Sequence, residues 1–133
     1  MAGTKTIKQT EFFPGVAPSE IYEAMLSGPE HSKMTGAKAT GSGVVGGKFT
    51  AWDGYISGRN IELDKDSRIV QEWQTTEWPE GAPPSQLEWD FKAKDGGTEV
   101  TMIHSKVPAE QTDSYKQGWD DYYFKPMKEY FAR

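Results

Sequence analysis

Two periods of hydrophobic spacing run along this chain, and the switches between them outline its elements. Thr4 to Phe13 mixes threonines with Ile7 and two phenylalanines and is stopped by Pro14-Gly15, which predicts a strand. Pro18 suits a first helical turn, where its missing N–H costs nothing, and Glu20 sits near the positive end of the helix dipole. With Ile21, Ala24 and Met25 at helical spacing, a short amphipathic helix is expected over Pro18 to Leu26. Ser27-Gly28-Pro29 breaks it, and Pro29 to Met34 predicts one or two further turns ending at Gly36.

From Ala37 to Val107 the period falls to two, with short apolar and β-branched runs between turn residues, the pattern of an antiparallel meander. The candidate strands are Ala37 to Thr40, Lys48 to Trp52, Tyr55 to Leu63, Arg68 to Trp73, Gln86 to Ala93 and Thr98 to Ser105. Asp53-Gly54, Asp64 to Ser67 and Asp95-Gly96-Gly97 supply the turns, because Gly accepts positive φ and Asp caps its own turn. Leu87, Trp89 and Phe91 share one face and Gln86, Glu88 and Asp90 the other, so that strand has one wet side.

Beyond Pro108 the helical period returns. Tyr115, Trp119, Tyr122, Tyr123, Tyr130 and Phe131 form an aromatic stripe down a helix of about twenty residues, with a kink expected just before Pro126. The fold class that follows is α+β: a curved antiparallel sheet of six to seven strands wrapped around a long C-terminal helix, with two short helices after the first strand, in one domain over 1–133. Only that helix is long enough to cover the dry face of the sheet. Bulky rings fill a curved layer incompletely, so a ligand cavity is expected between sheet and helix.

Composition narrows the functions. Among the 133 residues there is no cysteine, which excludes disulfide scaffolds, thiolate metal sites and cysteine nucleophiles. His31 and His104 alone are too few for an ordinary structural zinc site, and no metal or cofactor is expected. A net charge of -5 with scattered lysines opposes nucleic-acid binding. The start lacks the apolar run of a secretory signal and no window approaches a membrane span, so a cytoplasmic, soluble monomer is expected.

Candidate chemistry is sparse. Gly41-Ser42-Gly43-Val44-Val45-Gly46 matches G-x-G-x-x-G, yet it leads into a strand rather than a helix, so it reads as a turn or bulge and not as a nucleotide site. Asp120-Asp121 are adjacent on a helix, point about 100° apart and cannot act as a catalytic pair. No nucleophile elbow or metal-ligand spacing occurs, and an enzyme is not expected. His104 continues the inward set Val100, Met102, His104, either as a satisfied core histidine or as a group that orients a ligand. Gln71, between Ile69 and Trp73, faces inward on the same reasoning and needs partners there. Trp52, Trp73, Trp89 and Trp119 suit a core. Trp78 lies in the polar loop Glu77-Trp78-Pro79-Glu80-Gly81, either packed on its own domain or exposed as an anchor for a partner.

Four ordered motifs carry a resemblance: Gly46-Gly47-Lys48-Phe49, Asp53-Gly54-Tyr55-Ile56-Ser57-Gly58, Trp78-Pro79-Glu80-Gly81 and Gln117-Gly118-Trp119-Asp120-Asp121-Tyr122-Tyr123-Phe124. In them the chain resembles the activator of heat-shock protein 90 ATPase homologue family, of the START or birch-pollen-allergen-like superfamily, from about Ile7 to Phe131. The resemblance implies the helix-grip fold. It also implies a likeness to the carboxy-terminal domain of the eukaryotic co-chaperone, whose separate amino-terminal domain grips the chaperone and stimulates its ATPase.

Three readings follow. The first is a noncatalytic domain that binds a small apolar or aromatic molecule, or a lipid, in a cavity lined by Gln71, Trp73, Trp89, His104, Trp119 and Tyr123. The second is a chaperone-associated module touching heat-shock protein 90 through Trp78, Lys48 and Phe49. The third is a cyclase-like enzyme of the same superfamily, with His104 as acid or base.

Overall fold

The computed structural model describes residues 3–132; residues 1, 2 and 133, the ends of the expected 1–133 domain, lie outside them. Its strands are β1 (Thr4–Pro14), β2 (Thr40–Gly41), β3 (Lys48–Ala51), β4 (Ile56–Asp64), β5 (Arg68–Thr75), β6 (Ser85–Lys94) and β7 (Gly97–Pro108). They form one curved antiparallel sheet in the order β1-β7-β6-β5-β4-β3-β2. The meander closes onto β1 at β7, where Phe13 pairs with Thr98 and Thr10 with Thr101. Two helices follow β1, α1 (Pro18–Leu26) and α2 (Gly28–Thr35). Glu20 reaches back to accept the Ala17 N–H at 2.8 Å, and α2 ends on Gly36 in the left-handed conformation, φ 83°.

Residues 37–39 are not a strand, against expectation, because their backbone groups are taken by other partners. Ser32 Oγ accepts the Ala39 N–H at 2.8 Å and lies 3.2 Å from the Ala39 carbonyl, while the Lys38 carbonyl accepts from the Asp53 N–H. Pairing with β3 is left to Thr40 and Gly41. The G-x-G-x-x-G segment is a turn between β2 and β3, with Gly43 and Gly46 at positive φ. It is pinned to β4, since Gly46 donates to the Asn60 carbonyl and Asn60 donates to the Gly47 carbonyl.

The C-terminal helix starts as a 3₁₀ turn (Ala109–Gln111), continues as α3 (Thr112–Trp119), widens into a π turn (Asp120–Phe124) and ends as α4 (Lys125–Tyr130). The irregularity expected before Pro126 is this π turn, in which Lys125 donates to the Asp120 carbonyl five residues back. It changes which residues face the sheet. Tyr115, Trp119, Tyr123, Met127 and Phe131 are all buried, a strict four-residue step, and Phe124 joins them. In an α-helix four residues overshoot a turn by about 40°, so four steps would drift about 160° off the sheet. One residue gained in the π turn takes back about 100° of that. Two members of the expected stripe therefore fall outside it: Tyr122 is 56% exposed and Tyr130 is 38% exposed.

Each large side chain removed from water here stabilises the fold by about 1.5–3 kcal/mol. The edge strand β1 adds polar ties: Gln9 donates to Asp120 at 3.2 Å, and Lys128 pairs with Glu11 at 2.7 Å.

Candidate functional site

Ring-bearing side chains converge where the middle of the C-terminal helix crosses β5, β6 and β7, and the alternation of each strand decides which arrive. In β5 the inward positions are Ile69, Gln71, Trp73 and Thr75; in β6 they are Ser85, Leu87, Trp89 and Phe91; in β7, Val100, Met102 and His104. Trp73 meets His104 at 4.6 Å and Tyr115 at 5.2 Å edge to face, and lies tilted by 42° to Trp119 at 5.5 Å. Trp89 meets Trp119 at 5.5 Å. Crossed rings of this kind add about 0.5–1.5 kcal/mol per pair beyond burial.

Both nitrogens of His104 are engaged. Trp119 Nε1–H donates to Nδ1 at 3.2 Å, and an indole nitrogen can only donate, so Nδ1 carries no proton. Nε2–H then donates to Ser85 Oγ at 2.7 Å, and the Ser85 hydroxyl donates to the Trp73 carbonyl at 2.7 Å. Burial lowers the His104 pKa from 6.5 to about 3, which keeps the ring neutral. His31 is held the opposite way round: Nδ1–H donates to the Met25 carbonyl at 3.1 Å and Nε2 accepts from the Tyr123 hydroxyl at 3.0 Å. Burial lowers its pKa and raises that of Tyr123. Of the two readings of His104, the satisfied core histidine describes its bonds. His31 plays the same part and carried no periodic signal of its own, since α2 is short.

Beneath the helix the interior is nearly filled. Gln71 and Trp89 border a void of about 20 Å³, also reached by Trp73, Trp119 and Tyr123. That is room for one water and not for an organic ligand. Gln71 donates to Asn60 Oδ1 at 2.9 Å, and Asn60 donates onward to the Val44 carbonyl at 3.1 Å, so the amide pair anchors the β2–β3 turn.

The open space lies nearer the sheet edge, as a half-open groove of about 440 Å³ between the helix and the β3–β4 turn. Trp73 is its floor; Trp52, Tyr55 and Ile56 line the turn side; Ser114, Tyr115, Gly118, Trp119, Tyr122 and Tyr123 line the helix side. Of the six residues expected around a cavity, Trp73, Trp119 and Tyr123 border this groove, while Gln71, Trp89 and His104 do not.

The turn side is built at some conformational cost. Trp52, Asp53 and Gly54 all have positive φ, and for a bulky Trp at 52° that strain is about 1–3 kcal/mol. It carries the indole across to Tyr122, with ring centroids 5.2 Å apart. Trp52 packs against the core as its period suggests and also lines the groove, while Gly118 is a groove residue whose only sequence signal is a glycine inside a helix, a cost of about 1 kcal/mol against Ala. Here its missing side chain leaves the groove open.

At one end of the groove the phenols turn polar. Tyr55 donates to the Glu77 carboxylate, and Tyr115 donates to Gln111 at 2.9 Å and lies 2.8 Å from Thr75 Oγ1. Burial, helped by the Glu77 contact, pushes the Tyr55 pKa up to about 12, and burial raises that of Tyr115. Trp78 packs on its own domain: it stacks on Tyr115 at 6.1 Å and donates to the Pro83 carbonyl at 2.9 Å. Phe49 also turns inward against the core, whereas Lys48 is exposed. Among the described residues no group of three or more His, Cys, Asp or Glu could hold a metal ion, and no helix is long and apolar enough to cross a membrane.

The family described as "Activator of Hsp90 ATPase homolog 1-like protein" matches residues 16–132. "Activator of 90 kDa heat shock protein ATPase homolog 1" of Homo sapiens is 33% identical over 127 residues, 96% of this chain and 36% of that protein. The chain thus spans about a third of the length of this curated relative. Among solved structures, an HSP90 activator from Plasmodium falciparum superposes with a TM-score of 0.83 at 23% identity, covering 96% of this chain and 95% of that one. The Aha1 dimer from Colwellia psychrerythraea gives 0.77 at 16% identity, covering 91% and 92%. These two likenesses concern the fold.

Proposed function

The chain belongs to the Activator of Hsp90 ATPase homolog 1-like family, and on that premise we propose that it is a noncatalytic, cytoplasmic module that associates with heat-shock protein 90. The observation that carries this reading is the 33% identity to the human activator over nearly the whole chain. Contact is made by the outer surface, at Lys48 and the neighbouring turn, where Val44 and Val45 are 56% and 63% exposed. Phe49, which packs inward, supports that surface from beneath, whereas Trp78 packs away from it against Trp73 and Tyr115. Exposed apolar side chains on a turn pinned at both ends suit docking with little loss of conformational freedom. The test is to mix the protein, as a monomer, with its cognate chaperone and follow co-sedimentation and ATPase rate. Saturable binding that a Val45→Asp change weakens is expected; absence of binding at high micromolar concentration overturns the proposal.

A second reading is favoured by the groove: a small apolar or aromatic molecule binds there without being transformed. Its support is the ring-rich lining. A cyclase-like reaction through His104 finds no such support, because both ring nitrogens are bonded inside the core.

A further inference from the structure

We infer that the groove takes a compact organic cation, a quaternary ammonium head on a small molecule; this rests on the reading of the groove as a ligand site. Seven of its ten lining residues carry aromatic rings, and none is Lys, Arg, Asp or Glu. The rings do not lie parallel. Trp52 and Tyr122 meet at 68°, Trp73 and Tyr115 at 83°, and Trp119 and Tyr123 at 52°. Parallel walls make a slot for a flat molecule; walls set at such angles box in a rounded group.

The charge pattern agrees with that shape. The face of an aromatic ring is electronegative, and a cation within about 6 Å of its centroid is attracted by about 0.5–2 kcal/mol. No ammonium or guanidinium lines the groove to repel it. Glu77 sits just behind the polar end, bonded to the Tyr55 hydroxyl, and the chain carries a net charge of -5. An anion or a phosphate would meet rings and a nearby carboxylate with no counter-charge. A quaternary ammonium is preferred to a primary one because it has no N–H groups, and the groove offers few acceptors to replace lost water. Gly118 gives entry on the helix side, and half-exposed Tyr122 forms the outer wall.

The experiment compares choline with 3,3-dimethyl-1-butanol, its neutral isostere, by tryptophan fluorescence on the whole protein. Choline is expected to bind saturably and about tenfold more tightly than the alcohol. Tyr122→Ala, at an exposed site, is expected to weaken choline several-fold while leaving the circular dichroism spectrum unchanged. Equal or tighter binding of the alcohol overturns the cation inference and leaves the apolar groove standing. Failure of both probes to bind at tens of millimolar overturns the inference together with the ligand reading it rests on.

Discussion

The indole of Trp119 donates to Nδ1 of His104 at 3.2 Å, and this single bond fixes the histidine as the Nε2–H tautomer. One turn further along the helix, Tyr123 donates to His31 in the complementary sense. The helix is therefore latched to β7 and to α2 by two neutral imidazoles, each of which must remain uncharged for the latch to hold.

Acid should loosen the fold through these two histidines. His104 has a folded pKa of about 3 against 6.5 when free, so below pH 6.5 the unfolded chain binds the extra proton. Stability is full above pH 6.5 and falls as pH drops toward 3. Between pH 7.5 and 5.5 His104 alone costs about 1.4 kcal/mol, and His31, also lowered, acts in the same direction. Urea midpoints at the two pH values check this; identical midpoints would contradict it.

The hydrogen bond to His104 can be separated from ring burial by comparing two tryptophans. Trp119 and Trp89 are equally buried, but among the described residues Trp89 Nε1 has no partner. Trp119→Phe should cost about 1–2 kcal/mol more than Trp89→Phe, because only the former leaves a buried acceptor empty. Equal losses in chemical denaturation would remove the bond from the account.

Two glycines should respond with opposite signs. A Cβ at Gly58 would run into the Glu72 carbonyl and the Phe49 ring, so Gly58→Ala should destabilise by about 1–3 kcal/mol. At Gly118 the nearest atom to an added Cβ is in Tyr122, at an ordinary 3.7 Å. Gly118→Ala should therefore stabilise by about 0.5–1 kcal/mol through helix propensity alone. Thermal melts of both variants decide; a melting temperature lowered by Gly118→Ala would show that the groove needs the glycine for folding.

Strand alternation made most of the sheet legible, because Ile69-Gln71-Trp73 and Val100-Met102-His104 each repeat with period two and face the core as that period demands. The helix was legible in position but not in face. Tyr122 and Tyr130 fit a 3.6-residue stripe, and only the π turn, a response to Pro126 and to packing, rotates them outward. The groove was least legible. It depends on Trp52 adopting positive φ, which residue preferences oppose, and on Gly118, whose effect is the absence of a side chain. Gln71, Trp89 and His104 face inward as their period requires, but inward here leads to filled core rather than to open space.

Small-molecule binding is proposed for the groove beside Trp52 and not for the interior beneath the helix. The five indole N–H signals resolve this directly in a proton–nitrogen correlation spectrum recorded during a choline titration. The signals of Trp52, Trp73 and Trp119 are predicted to move together while Trp89 stays still. Movement of Trp89 with Trp52 unchanged would place the ligand in the core and contradict the assignment.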